Sequence, residues 1–130
     1  MRIIGRADHL SSGPGPELMA ADTLTGDRVV NGKGEDLGTI TNIMLDVQRG
    51  RIAYAVLSVG GFLGIGDKLF AIPWGAMSLD IERKCFVLEA EKERFDAAFG
   101  FDKDHWPAMG DTTWASAVHT RFQTRPYWDE

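Results

Sequence analysis

Between Arg28 and Leu88 the apolar residues come in short runs rich in Val, Ile, Leu and Phe, separated by polar, glycine-bearing turns. That is the spacing of β-strands, not of helices. Arg28-Val29-Val30-Asn31 leads into Asn31-Gly32-Lys33-Gly34-Glu35-Asp36, a tight polar turn that predicts a hairpin with the next strand. Leu37 to Gln48 sets Ile43, Leu45 and Val47 on one face at period two, while Ile40 and Met44 fall out of phase and predict a bulge or strong coiling. After Arg49-Gly50, the run Arg51 to Val59 is apolar on both faces and reads as a central, covered strand. Lys68 to Ile72 resumes strand character beyond the glycine-rich loop Gly60–Gly66, and Pro73, which has no N–H to donate, ends it. Met77 to Ile81 and Cys85 to Glu89 form another hairpin around Glu82-Arg83-Lys84. Six short strands joined by tight turns predict a barrel or a sandwich.

The period changes only near the end of the chain. Phe95, Ala98 and Phe99 lie at helical spacing within Glu91 to Phe99, with Gly100 as a stop, so a short helix capping an open end of the barrel is expected. Phe101 to Pro107 reads as a compact turn, and a second helix is expected to begin at Asp111 as N-cap and to run toward His119. At the other end, Met1 to Ala20 contains Ser11-Ser12-Gly13-Pro14-Gly15-Pro16 and few large apolar groups, and is expected to be a mobile arm. The expected organisation is an arm over residues 1–20, a barrel domain over 21–106 and a C-terminal extension over 107–130.

Composition narrows the functional classes. With 44% hydrophobic residues in a 130-residue chain, one domain buries a core without disulfide staples. Fourteen basic against 19 acidic residues give a formal charge of -5, which does not supply the field that phosphate-backbone binding draws on, so no nucleic-acid partner is expected. Cys85 is the only cysteine; in the run Cys85-Phe86-Val87-Leu88 it reads as an inert core residue and suits a reducing cytoplasm. The N-terminus has no signal-peptide hydrophobic region, and no apolar run approaches the roughly 20 residues of a spanning helix, so export and membrane insertion are not expected.

The ordered strings Asp22-Thr23-Leu24-Thr25-Gly26, Leu37-Gly38-Thr39-Ile40, Ile43-Met44-Leu45-Asp46-Val47, Arg51 to Ser58, Gly60-Gly61-Phe62-Leu63-Gly64 and Ala71-Ile72-Pro73-Trp74 resemble the PRC-barrel family in order and spacing. The likeness covers about residues 20 to 106 and is nearest the free-standing bacterial branch, a family also found in the cytoplasmic part of the photosynthetic reaction-centre H subunit and in RimM-type ribosome maturation factors. The resemblance implies a mainly β fold, a small and strongly bent barrel acting as an adaptor, with no catalytic motif and no cofactor. Over residues 1–130, neither the transmembrane helix of the H subunit nor the second N-terminal β-domain of the maturation factor is expected.

Several groups of residues are candidates for chemistry or binding. The Asn31–Gly38 segment and Gly61–Gly66 have glycines but neither a following helix nor the Walker spacing, so both read as backbone turns and not as phosphate cradles. Phe62, Leu63 and Ile65 are bulky residues in a glycine loop; they either fold over their own barrel or cover a neighbouring subunit. Asp102, Asp104 and His105, with Asp46 as a possible fourth, are weak metal candidates, because no second histidine or cysteine stands nearby at ligand spacing. His9 and His119 have no adjacent nucleophile, so no catalytic residues are assigned. Trp114 and the tail residues Phe122, Arg125, Tyr127 and Trp128 are of the types enriched in binding hot spots, and the tail either covers its own barrel or binds another chain. The chain is expected to be a non-enzymatic, self-associating interaction module, with itself and another protein as partners; the alternative is a small-molecule or metal-binding β-barrel.

Overall fold

The computed structural model describes residues 1–5, 15, 17–62 and 66–129; for Gly61 and Phe62 it describes the backbone. The strands are β1 (Arg2–Ile4), β2 (Arg28–Val30), β3 (Asp36–Asp46), β4 (Arg51–Phe62), β5 (Gly66–Pro73), β6 (Met77–Asp80) and β7 (Cys85–Leu88), and one α-helix, α1, spans Thr112–Arg121. They form one sheet in the order β1-β6-β7-β2-β3-β4-β5. The pairs β1–β6 and β2–β7 are parallel and the others antiparallel. Among the described residues the sheet stays open, with β1 and β5 as its edges, while its inner face closes over a continuous core of Val29, Leu37, Ile40, Leu57, Ile72 and Phe86. No helix among them is long and apolar enough to cross a membrane.

Bulges create this curvature. The β3–β4 register shifts between Ile40 and Asn42 and again between Met44 and Leu45, so one residue is left over each time and the strand coils. The first shift places both Ile40 and Ile43 toward the core, which explains why the period-two pattern failed to include Ile40. The second leaves Ala53 over on β4. Leu45 and Val47 lie at the hairpin end, beyond the core that Ile43 packs against; they are 61% and 87% exposed, and Val47 lies in the turn.

Two elements differ from the sequence expectation. Arg2–Ile4 is a strand, added in parallel on β6 with Ile3 opposite Leu79, although the N-terminal segment was expected to hold no regular element. Three residues carry too little local pattern to announce a strand whose partner is more than seventy positions away; residues 6–14 and 16 of the expected arm lie outside the described set. The capping helix over Glu91–Phe99 is replaced by two 3₁₀ turns, Lys92–Arg94 and Ala97–Phe99. Asp96 causes the break: it is extended, and its carboxylate accepts the Ala98 N–H, a local bond that competes with helix continuation. Phe95 still caps the core, edge to face with Phe70 at 5.2 Å between centroids. Asp111 N-caps α1 as expected, accepting the N–H groups of Thr113 and Trp114.

Candidate interaction surfaces

Tyr54 organises the outer face of the sheet. It is 1% exposed, and Trp114, His119 and Tyr127 surround its ring with centroids 5.4, 5.5 and 6.0 Å away. Its hydroxyl, buried, has no hydrogen-bond partner among the described residues, and burial raises its pKa. His119 is also buried: its Nδ1 lies 2.7 Å from the Ala115 carbonyl, and the Tyr127 N–H points at Nε2 from 3.3 Å, so Nδ1 is the protonated nitrogen and Nε2 the acceptor. The turn after α1 is thereby fastened to the helix.

A charged contact fastens it to the sheet. The Tyr127 hydroxyl donates to Asp46 Oδ2 at 2.6 Å, and Arg49 adds its backbone N–H on Oδ1 and its guanidinium on Oδ2, each at 3.0 Å. The Tyr127 bond first, then those from Arg49, hold the Asp46 pKa down to about 2. A folded pKa below the unfolded value, about 3.9, gives a stabilisation that is complete above the unfolded value and lost as pH falls through the folded one. We expect the melting temperature of wild type to exceed that of Asp46→Asn by a constant margin above about pH 5, and the margin to vanish as pH approaches about 2. A margin independent of pH over this window would show that Asp46 does not act through its charge.

Trp114, Phe122, Tyr127 and Trp128 thus pack against their own chain: Phe122 lies on Phe95 at 6.3 Å, and Trp128 on His119 and Tyr127 at 5.2 Å each. Arg125 remains exposed and donates to the Asp129 carbonyl at 3.2 Å. In the glycine loop β4 continues through Phe62, whose backbone pairs with Gly66, while Leu63 and Ile65 lie outside the described residues. The turn at Asn31 has its amides occupied: the Asn31 side-chain oxygen accepts the N–H groups of Lys33 and Glu35, both at 3.0 Å. It is built as a turn, with Gly34 at φ +81°.

Asp102, Asp104 and His105 do come together, with Lys68, Ser58 and Trp106, along a cleft of about 890 Å³ beside the β4–β5 end. Asp102 is engaged there by Lys68 Nζ at 2.7 Å, which lowers its pKa. Asp46 lies elsewhere, under the tail. Among the described residues no three His, Cys, Asp or Glu side chains converge to hold a metal ion. Cys85 is buried and free, and burial raises its thiol pKa, which disfavours the reactive thiolate.

A second concavity was not anticipated from the sequence. An apolar groove of about 320 Å³ runs between β5, the Ala97–Phe101 turn and α1, and the Arg121 guanidinium closes one end, 3.6 Å above the centroid of the exposed Phe99 ring. Gly100 allows the turn to lie this close to β5: a Cβ there would sit 3.1 Å from the Leu69 carbonyl oxygen and 3.0 Å from Phe70.

Residues 16–95 match the family model described as the PRC-barrel domain. No curated protein matches the chain. Among solved structures, the chain is similar to a 16S ribosomal RNA processing protein, RimM, from Pseudomonas aeruginosa, at 20% identity and a TM-score of 0.39, over 69% of this chain and 50% of that one. The chain therefore spans about half the length of that structure. The helix α1 and the tail lie beyond the matched segment.

Proposed function

The chain belongs to the PRC-barrel domain family, and on that premise we propose that it is a non-enzymatic interaction module, an adaptor that associates with itself and with another protein. The observation that carries the reading is that Leu45 and Val47, two positions apart at the end of the β3–β4 hairpin, are 61% and 87% exposed. Two aliphatic side chains held in water at one hairpin end forgo their burial energy, about 1.5–3 kcal/mol each, and a protein surface would supply that burial. The loop with Phe62, Leu63 and Ile65 is the second proposed contact, and the exposed side of Arg125 and Trp128 a third. Size-exclusion chromatography with light scattering tests self-association: a mass that rises with concentration is expected, and Leu45→Glu with Val47→Lys is expected to return the chain to monomer. A strict monomer at every concentration overturns self-association; crosslinking in the native cell then identifies the other partner.

The cleft lined by Asp102, Asp104 and His105 favours a second reading, a small-molecule or metal-binding domain. A ligand of the folded form raises the unfolding midpoint by mass action. Thermal shift against divalent metals and nucleotides that leaves the midpoint unchanged would remove it.

A further inference from the structure

β5 is an edge strand with one outward backbone position left unused. In an antiparallel ladder, residues alternate between those that exchange bonds with the neighbouring strand and those whose N–H and C=O point away from it. Leu69 points away from β4: it donates to the Phe101 carbonyl at 2.9 Å and accepts the Phe101 N–H at 2.8 Å. With no register shift between Leu69 and Pro73, alternation directs Ala71 and Pro73 outward as well. Pro73 has no N–H, so that position suits it. Ala71 has both groups, and no described residue bonds to either, although the residue is 7% exposed.

The chain's own course opens the space in front of Ala71. Antiparallel continuation from the Leu69–Phe101 bridge would set Phe99 opposite Ala71, but Ala97–Phe99 is a 3₁₀ turn and the chain leaves the edge at Gly100. The gap is the groove between β5 and α1, with Ala71 in its wall and Phe70, Phe101, Trp114 and Val118 around it. Its far end is cationic. Arg121 donates to the Arg94 carbonyl, and Arg94 Nη1 donates to the Arg121 carbonyl at 2.9 Å, a reciprocal pair that holds the Arg121 guanidinium over Phe99 in a chain whose formal charge is -5.

Resting on the adaptor reading, we propose that this groove receives an extended segment of a partner protein. The segment pairs one residue's N–H and C=O with Ala71, seats a large apolar side chain in the groove, and sets a carboxylate against Arg121. An unpaired donor and acceptor on one strand residue ask for backbone, the mode of β-strand addition; the apolar walls select the side chain, and the arginine corner selects the sign of the flanking charge. Phe101 already bonds to the same edge one strand repeat away, so the edge accepts a short antiparallel guest.

The test is a titration of the ¹⁵N-labelled full chain with peptides acetyl-Thr-Val-X-Val-Glu-amide, X being Leu, Ile, Phe or Trp. The Ala71 amide and the Trp114 indole N–H are expected to shift in a saturable way. Methylating the peptide nitrogen of X is expected to weaken binding about tenfold, the loss of one good hydrogen bond, and replacing Glu by Lys is expected to weaken it further. Ala117→Trp, on the exposed groove wall, is expected to abolish the shifts while leaving the melting temperature unchanged. Silence at Ala71 with every peptide at millimolar concentration overturns the proposal, as does an N-methylated peptide that binds as well as its parent. If the chain nevertheless crosslinks to a protein through Leu45 or Val47, the groove proposal falls and the adaptor reading stands.

Discussion

Gly38→Ala is expected to bring the chain toward the margin of folding, with a loss of about 2–6 kcal/mol. Two separate effects meet at this position. Gly38 has φ +147°, in the region that side-chain-bearing residues avoid, which costs roughly 1–3 kcal/mol for a non-glycine residue. In addition, a Cβ built there overlaps the Ser58 carbonyl oxygen on β4 and lies 3.0 Å from its carbon. The obstacle is backbone in the β3–β4 ladder, so no rotamer change relieves it; the strands have to separate, and overpacking of this kind costs a further 1–3 kcal/mol or so. Against a total stability of about 5–15 kcal/mol, the melting temperature should fall by roughly 10–20 °C. Gly26→Ala is the control: Gly26 has φ +89° but nothing within 4 Å of the added carbon, so it isolates the conformational term. Equal losses at the two positions, measured by thermal unfolding, would mean that the approach of Gly38 to Ser58 relaxes freely and that the coiling of β3 over β4 is not tightly set.

Gly38 also marks what the sequence could and could not disclose. The strands from Arg28 onward were legible because each has its own apolar run and turn, and the resemblance to the PRC-barrel family rested on those same runs. Ile40 signalled the bulge in β3, since a residue out of phase with a period of two is what an inserted residue produces, whereas Met44 is out of phase because it packs on the opposite face, with Tyr54, and the second extra residue, Ala53, lies on β4. Asp111 announced α1 through a local bond, a carboxylate on amides two and three residues ahead. The misses are long-range or depend on a single competitor. β1 exists only through β6, and the Asp46–Tyr127 bond joins residues 81 positions apart, so neither leaves a local trace. The expected capping helix failed at Asp96, whose carboxylate closed a shorter turn. The groove was invisible for a different reason: it depends on the parity of outward backbone groups along β5, and the one residue that hinted at that parity was Pro73, tolerated because its missing N–H faces outward. On its residues alone, the aromatic tail suits a cover for either its own barrel or another chain. Its rings go to Tyr54 and His119, and aliphatic residues on the β3–β4 hairpin are left as the most exposed apolar groups of that end.

Tyr54 separates packing from hydrogen bonding at the centre of that tail contact, and its two substitutions are expected to act in opposite directions. Tyr54→Ala should cost about 3–5 kcal/mol, the usual loss for a large ring in a filled site, because Trp114, His119 and Tyr127 all rest on this ring and lose their common support. The tail should loosen with it, and the pH-dependent stabilisation from Asp46 should shrink to the part that Arg49 supplies. Tyr54→Phe keeps the ring and removes a buried hydroxyl that no described residue satisfies. An unpaired buried hydroxyl carries a desolvation penalty of about 1–3 kcal/mol, so its removal should leave stability unchanged or raise it by up to about 1 kcal/mol. Urea unfolding at neutral pH, with the slope compared between variants, measures both. A loss in Tyr54→Phe above about 1 kcal/mol would place a partner on the hydroxyl, and the cavity of about 430 Å³ beside it, lined by Met44, Asp46, Met109, Tyr127 and Trp128, is where that partner would sit. A neutral or stabilised Tyr54→Phe makes the ring alone the anchor of the tail, and the order of the extension beyond the matched segment then rests on aromatic packing against one strand of the barrel.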